Sequence, residues 1–245
     1  MRRLFSVLVC FVLIVFIFPS LVHLGVWIAQ ERPVSWRNAN WSSAGILPEP
    51  KVGDASVYVF SARTGGLKGA FAVHTWLVLK QPGRSRYDRY DVVGWGTPVR
   101  TNAYDADGRW YSNTPRIEFE AHGQKAMQLL PHIGTALRSY RWRNRGDYRL
   151  WPGPNSNTFV ASIIRAVPGF DAQLPITAVG RDFPEDGRWL KVTETGTLRA
   201  TLAGYAGLVA GRIEGLELNF LGLVAGVNPS RGEIKIPSFG SYQIY

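Results

Sequence analysis

The chain has almost no cysteine. The single one, Cys10, lies inside the first apolar segment, so no intramolecular disulfide and no cysteine-based metal site can form. A cysteine nucleophile is thereby excluded from everything beyond residue 30. Histidine is nearly as scarce. Outside the apolar segment there are His74, His122 and His132, without HExxH or comparable ligand spacing, which speaks against zinc. His122 and His132 read as surface residues of a helix. No Walker A sequence occurs, and Gly65-Gly66, GWG at 94–96 and GRIEG at 211–215 lack the strand, GxGxxG and helix order of a dinucleotide site. DADG at 105–108 has its glycine in the fourth position and no glutamate in the twelfth, which leaves a β-turn rather than a calcium loop. Neither a cofactor nor a metal is expected.

Acidic residues are also in deficit: 18 Asp and Glu stand against 28 Lys and Arg, for a net charge of +10. Such an excess attracts nucleic acid, anionic lipid headgroups or acidic cell-wall polymers, and charge alone does not choose among them. Nucleic acid is not expected, because the basic residues are interspersed with acids. The one dense cluster, RWRNRGDYR at 141–149, reads as a solvated loop. Nine Trp, ten Tyr and twelve Phe point to a packed domain instead of a disordered basic tail.

From Leu4 to Ala29 the chain carries no Asp, Glu, Lys or Arg. As a helix rising about 1.5 Å per residue, this segment crosses a hydrocarbon core of about 30 Å. Residues 1–30 are therefore read as a transmembrane anchor. A cleaved signal peptide fits less well, since no small-x-small site follows and Trp27 precedes Ala29; Cys10 comes too early for a lipoprotein. Pro19 is expected to kink the helix and His23 to sit near an interface. Arg2 and Arg3 favour a cytoplasmic N-terminus, which puts the remainder outside a bacterial inner membrane, in the periplasm where there is one.

Residues 31–52, rich in Pro, Ser, Asn and Trp, read as a linker lying on the domain or membrane surface. Residues 53–245 read as one α+β domain. SVYVFSAR, GAFAVHTWLVLK and YDVVGWG alternate with β-branched and aromatic residues and predict an antiparallel meander. In AHGQKAMQLLPHIGTALRSY, Ala126, Leu129, Leu130, Ile133 and Leu137 recur at helical spacing, with Pro131 expected to kink or divide the helix. NSNTFVASIIRAVPGF predicts a second helix ended by Pro168. Glycine-rich strands follow, in which GLVAG occurs at 207–211 and again at 222–226, too little for a repeat architecture; EIKIPSFGSYQIY closes the chain.

Two residues carry candidate chemistry. His74 shares a strand face with Trp76, either as a buried histidine bonded to the backbone or as a general base poised near neutral pH. Ser156 stands at a helix start within WPGPNSNTF. Either it caps the helix or its hydroxyl is a nucleophile, placed where free N–H groups stabilise developing negative charge. Asn155 and Asn157 are candidate caps and candidate oxyanion donors.

HTWLVL on a strand followed much later by NSNTF opening a helix resembles the circularly permuted papain-like proteins, among them NlpC-type, lecithin retinol acyltransferase-like and deSUMOylating isopeptidase-like members. In that group the strand histidine precedes a cysteine nucleophile in an NCNTF or NCxxF motif. The matching position here is Ser156. The resemblance implies a permuted papain-like fold of antiparallel sheet and packed helices, with Ser156 as nucleophile and His74 as base. It further implies an orienting residue from the strand after the histidine: Asp91, with Tyr90 its rival on the opposite face. KGAFAVHTWLVLK, YDVVGWG, WPGPNSNTF and EGLELNFLGLVAG together resemble a bacterial membrane-anchored family of domains of unknown function, DUF3750. The expected function is a serine-dependent hydrolase or acyltransferase acting on an ester or amide at the cell envelope. The alternative is a noncatalytic domain that binds peptide, glycan or lipid in the same cleft.

Overall fold

The computed structural model describes residues 2–193 and 196–244; Met1 and Tyr245, at the ends of the expected anchor and tail, lie outside them. The chain starts as one apolar helical rod, Arg2–Ile28. It comprises α1 (Arg2–Val12), a π-type stretch at Leu13–Ile17 and α2 (Phe18–Ile28). Pro19 sits in the first turn of α2, and the wide turns lie just ahead of it, where its missing N–H leaves the ladder short of a donor.

Among the described residues, twelve strands follow in two antiparallel sheets. The first has the order β4-β3-β2-β1-β5 and is built from β1 (Ser56–Arg63), β2 (Val73–Lys80), β3 (Asp88–Val92), β4 (Val99–Thr101) and β5 (Arg116–His122). β1 and β2 are the β-branched runs seen in the sequence, and both are buried almost throughout because both sheet faces are covered. On one face Val57, Val59, Val73, Leu77 and Leu79 pack against α3 (Gly123–Ser139) and α4 (Ser156–Ala166). On the other, Tyr58, Phe60, Trp76 and Val78 meet Trp110.

α3 buries Ala126, Leu129, Ile133, Ala136 and Leu137, the expected stripe, but Pro131 does not divide it. Pro131 and Met127 are both exposed, so the carbonyl that lost its donor faces water. His122 ends β5 instead of lying on a helix, while His132 is exposed on α3.

The stretch expected to be a linker is in part a cover for the aromatic face. Trp41 packs on Trp110 and Tyr111, with ring centroids 5.1 and 4.7 Å apart. DADG forms the expected β-turn, closed by Gly108 N–H to Asp105 O at 2.9 Å. The Asp107 carboxylate then accepts from Ser43 Oγ (2.6 Å) and from the N–H groups of Ile46 (2.6 Å) and Leu47 (3.2 Å).

The glycine-rich C-terminal strands build a sheet of their own, in the order β12-β11-β10-β9-β8-β7-β6. They are β6 (Leu190–Val192), β7 (Leu198–Leu202), β8 (Ala206–Gly211), β9 (Gly215–Phe220), β10 (Leu223–Asn228), β11 (Glu233–Ile236) and β12 (Gly240–Gln243). The two GLVAG copies lie on β8 and at the start of β10, either side of β9, and in each the valine is buried.

Asp107→Ala is expected to lower stability by about 3 kcal/mol, since three donors lose a charged acceptor. Asp107→Asn should cost less. Urea unfolding at neutral pH followed by tryptophan fluorescence measures both.

Candidate active site

His74 is the second residue of β2 and points away from α4. Its neighbour Thr75 shows this, because the Thr75 hydroxyl donates to Asn157 Oδ1 at 3.0 Å on the α4 side, and successive strand residues face opposite ways. The imidazole stacks flat on Trp110, centroids 3.8 Å apart and planes 9° from parallel, with Trp76 stacked at 5.7 Å. Its Nε2–H donates to Asp91 Oδ1 at 2.8 Å.

Asp91 is fully buried on β3, opposite Trp76 in register, because Val78 pairs with Arg89 and Leu77 with Tyr90. Arg89, two residues earlier and on the same face, grips it with both arms: Nε to Oδ2 at 2.7 Å and Nη2 to Oδ1 at 2.9 Å. The guanidinium lies 4.0 Å over the Trp76 ring and donates its third arm to Asp105 O at 2.8 Å. His74, Asp91 and Arg89 thus form a buried polar line within an aromatic wall. Tyr90 faces the other way and is packed beside the α3–α4 core.

The electrostatics set the tautomer. Burial works against the Asp91 carboxylate, but the charge of Arg89 and the hydrogen bonds from His74 and Arg89 outweigh it and hold its pKa below the ordinary value. Burial lowers the pKa of His74 despite the opposing bond and charge of Asp91. At neutral pH the ring is therefore neutral. With an ionised acceptor on Nε2, the proton resides there, and Nδ1 is left as a basic lone pair. Among the described residues Nδ1 has no hydrogen-bond partner.

Ser156 is the first helical residue of α4 but not its cap. The cap is Asn155, whose Oδ1 accepts from Asn157 N–H (2.9 Å) and Thr158 N–H (3.1 Å). Phe159 N–H takes Asn155 O, so Ser156 N–H is the remaining free donor of the first turn, and its hydroxyl is likewise unpartnered among the described residues. Neither asparagine amide is available as an oxyanion donor. Asn155 Nδ2 is committed to Leu150 O and Val179 O, and Asn157 Nδ2 to Val73 O and Val179 O. The backbone N–H of Ser156, by contrast, is uncommitted among the described residues.

The approach Trp151–Pro154 contains two cis X-Pro bonds, Trp151–Pro152 and Gly153–Pro154. Gly153 has φ +134, and a Cβ there would come within 2.7 Å of Thr158 Oγ1 and 3.0 Å of Phe183, so the tight packing of this loop on the helix start requires glycine.

The structure brings the two motifs together through Asn157. Its amide donates to Val73 O at 2.9 Å and its oxygen accepts from Thr75, so the helix start is clamped across the residues on either side of His74. His74 and Asp91 are joined directly. Ser156 and His74 are not: no hydrogen bond links the hydroxyl to the ring. Arg89 and Trp110 escaped the sequence reading. The signal for Arg89 was the R-x-D spacing on a strand, which places both side chains on one face.

A family model described as protein of unknown function, DUF3750, matches residues 54–183. The chain belongs to the DUF3750 family. No curated protein and no solved structure matches it. The matched span of DUF3750 begins at β1 and holds the first sheet, the His74–Asp91–Arg89 line and the Ser156 helix; the second sheet follows it.

The buried neutral imidazole has a consequence for stability. The unfolded chain binds a proton at His74 below pH ~6.5, whereas the folded chain resists it until a lower pH. Stability is accordingly expected to fall as the pH drops below about 6.5, and this part of the slope should vanish in His74→Gln. The loss from Asp91 comes in a separate window, below the ordinary carboxylate value near 3.8. Urea titrations between neutral and mildly acidic pH check the sign.

Proposed function

We propose that this protein is a membrane-anchored, serine-dependent hydrolase or acyltransferase acting on an ester or amide at the bacterial cell envelope. The observation that carries this reading is the pairing of His74 with Asp91 through Nε2, which leaves Nδ1 basic and free while the Ser156 hydroxyl is also unbonded. In the reaction, Ser156 Oγ attacks the substrate carbonyl, and because His74 faces away from α4 its proton reaches His74 Nδ1 through a water at the start of β2 and not by direct contact. The bond to the leaving alcohol or amine then breaks as that proton is returned to the leaving group. Water or a second alcohol, deprotonated by the same nitrogen, attacks the acyl carbon; the bond to Ser156 Oγ then breaks as that proton is returned to the serine oxygen. Ser156 N–H stabilises the developing oxyanion at the positive end of α4. Asp91 orients the ring, and Arg89 keeps Asp91 ionised without touching substrate.

The resemblance of HTWLVL and NSNTF to permuted papain-like proteins supports the same assignment, with a hydroxyl in place of the thiol. An alcohol gives up its proton only as it attacks, which suits a base held neutral. The apolar rod Arg2–Ile28 supports the attachment: it has the length and composition of a membrane span, and Arg2 and Arg3 favour an inner-membrane protein with its folded part outside the cytoplasm. The basic excess would then face anionic lipid or acidic cell-wall polymer.

A second reading, a noncatalytic domain that binds peptide, glycan or lipid, is favoured by the lack of a hydrogen bond between Ser156 and His74. Labelling with a fluorophosphonate probe separates the two. Wild type should be labelled, Ser156→Ala not at all, and His74→Ala slower by about 10²–10⁴-fold, the range ascribed to general-base catalysis. Ser162→Ala, further along α4 with its hydroxyl on Phe159 O, should label as wild type. A folded wild-type protein that takes no label would leave the binding domain as the answer.

A further inference from the structure

The second sheet is inverted relative to an ordinary protein surface. On β9, Glu217 is 2% exposed, while its neighbours Leu216 and Leu218 are 46% and 37% exposed. The same alternation continues across the register. Leu216 pairs with Val227 on β10 and Val227 with Ile234 on β11, and both partners are exposed; Lys235, beside Ile234, is buried. On β7, Leu202 is 70% exposed. Inward, Glu217 is held by Arg181 and by Lys235 Nζ at 2.6 Å. The sheet therefore hides its charges and shows its leucines.

The anchor is seated on this same sheet. Phe16, midway along the apolar rod and almost fully buried, packs on Phe220 with centroids 5.7 Å apart. Ser238 Oγ donates to Ser20 Oγ at 2.9 Å, and Phe239 meets His23 at 4.7 Å. Phe220 shares its face with Leu216 and Leu218, two and four residues back along β9. Phe16 lies twelve residues before Ile28, which is about 18 Å down the helix. Whatever medium surrounds the rod at that depth also bathes the exposed side of β9.

We infer that the apolar face of the seven-stranded sheet rests in the acyl chains of the bilayer that holds the anchor. This rests on the reading of Arg2–Ile28 as a membrane span. Apolar-out, polar-in alternation is what a sheet facing lipid requires, and a patch this extensive is unusual on a surface that faces water. β9, beside Phe16, is the middle strand, and the edges of the sheet are the short strands β6 and β12. Trp151 and Tyr205, whose rings meet at 4.7 Å, extend the exposed apolar surface at the β9–β10 turn, where Trp151 Nε1–H donates to Leu221 O at 3.1 Å. Five residues after Trp151 comes Ser156, so the loop that leads into the candidate site is tied to this sheet.

The test uses the full chain with Cys10→Ser, reconstituted in phosphatidylcholine vesicles with and without chain-nitroxide lipid. Single cysteines Leu216→Cys, Leu218→Cys and Val227→Cys carry the fluorophore NBD; Leu8→Cys reports the anchor and Arg145→Cys the water-exposed side. Three independent sheet positions, each checked by near-ultraviolet circular dichroism, guard against one misfolded variant. The sheet labels should lose most of their fluorescence to the nitroxide, as the Leu8 label does, while the Arg145 label keeps its own. Quenching at Leu8 without quenching on the sheet overturns the inference and leaves the anchor standing. Lack of quenching at all positions removes both. A blue-shifted sheet label that the nitroxide does not quench means a second copy of the chain covers the face, which also overturns it.

Discussion

β2 is buried along its whole length on both faces, and most of what is particular to this protein follows from that constraint. A strand covered on both sides must satisfy two unlike environments with alternate residues. Val73, Leu77 and Leu79 give one face to the helices, and His74, Trp76 and Val78 give the other to an aromatic wall. A histidine in such a wall is tolerable only if its N–H finds an acceptor. A buried carboxylate that accepts from it is tolerable only beside a cation. Arg89 is that cation, and removal of either Arg89 or Asp91 would strand the other charge without solvent. The His74–Asp91–Arg89 line is thus as much a condition of the fold as an arrangement for chemistry.

The start of α4 divides three jobs among three adjacent polar residues. Asn155 accepts the first free N–H groups, and Asn157 ties the helix to β2 on both sides of His74. Ser156, between them, is left with both its N–H and its hydroxyl unbonded among the described residues. Had Ser156 been the cap, its oxygen would have been spent on the backbone. Its freedom is a consequence of the asparagines on either side, and it is the reason a reactive role is open to it at all.

The strands of the first sheet were legible because SVYVFSAR and HTWLVLK are β-branched and aromatic in unbroken runs. The α3 stripe was legible by its period, although Pro131 suggested a break that the helix avoids by turning the affected carbonyl to water. Arg89 was not legible. RYD shows that two charged residues share a strand face, but only the pairing of β3 with β2 puts that face against Trp76 and His74. The Ser156 hydroxyl posed the converse difficulty: NSN names several residues able to cap, and only the hydrogen bonds tell which one does. The second sheet shows the same limit on a larger scale. Alternation identifies which residues lie together, yet says nothing of which side meets water.

The inverted sheet also explains how the chain beyond the DUF3750 span is held to it. Arg181 and Asp182, at the end of that span, reach into the sheet's polar side: Arg181 pairs with Glu217, and Asp182 accepts from Asn219 Nδ2 at 3.0 Å. Between the two sheets lies a cavity of about 640 Å³ lined by Arg63, Arg116, Glu118, Arg181 and Lys235 among apolar residues. Burial pushes the pKa of Arg63 down to about 10 and raises that of Glu118, so the groups lining this space are held partly out of water. Charges that line a cavity cannot also form the outer surface of so thin a layer. The sheet therefore turns its leucines outward, and the apolar rod packed along that side covers only part of them.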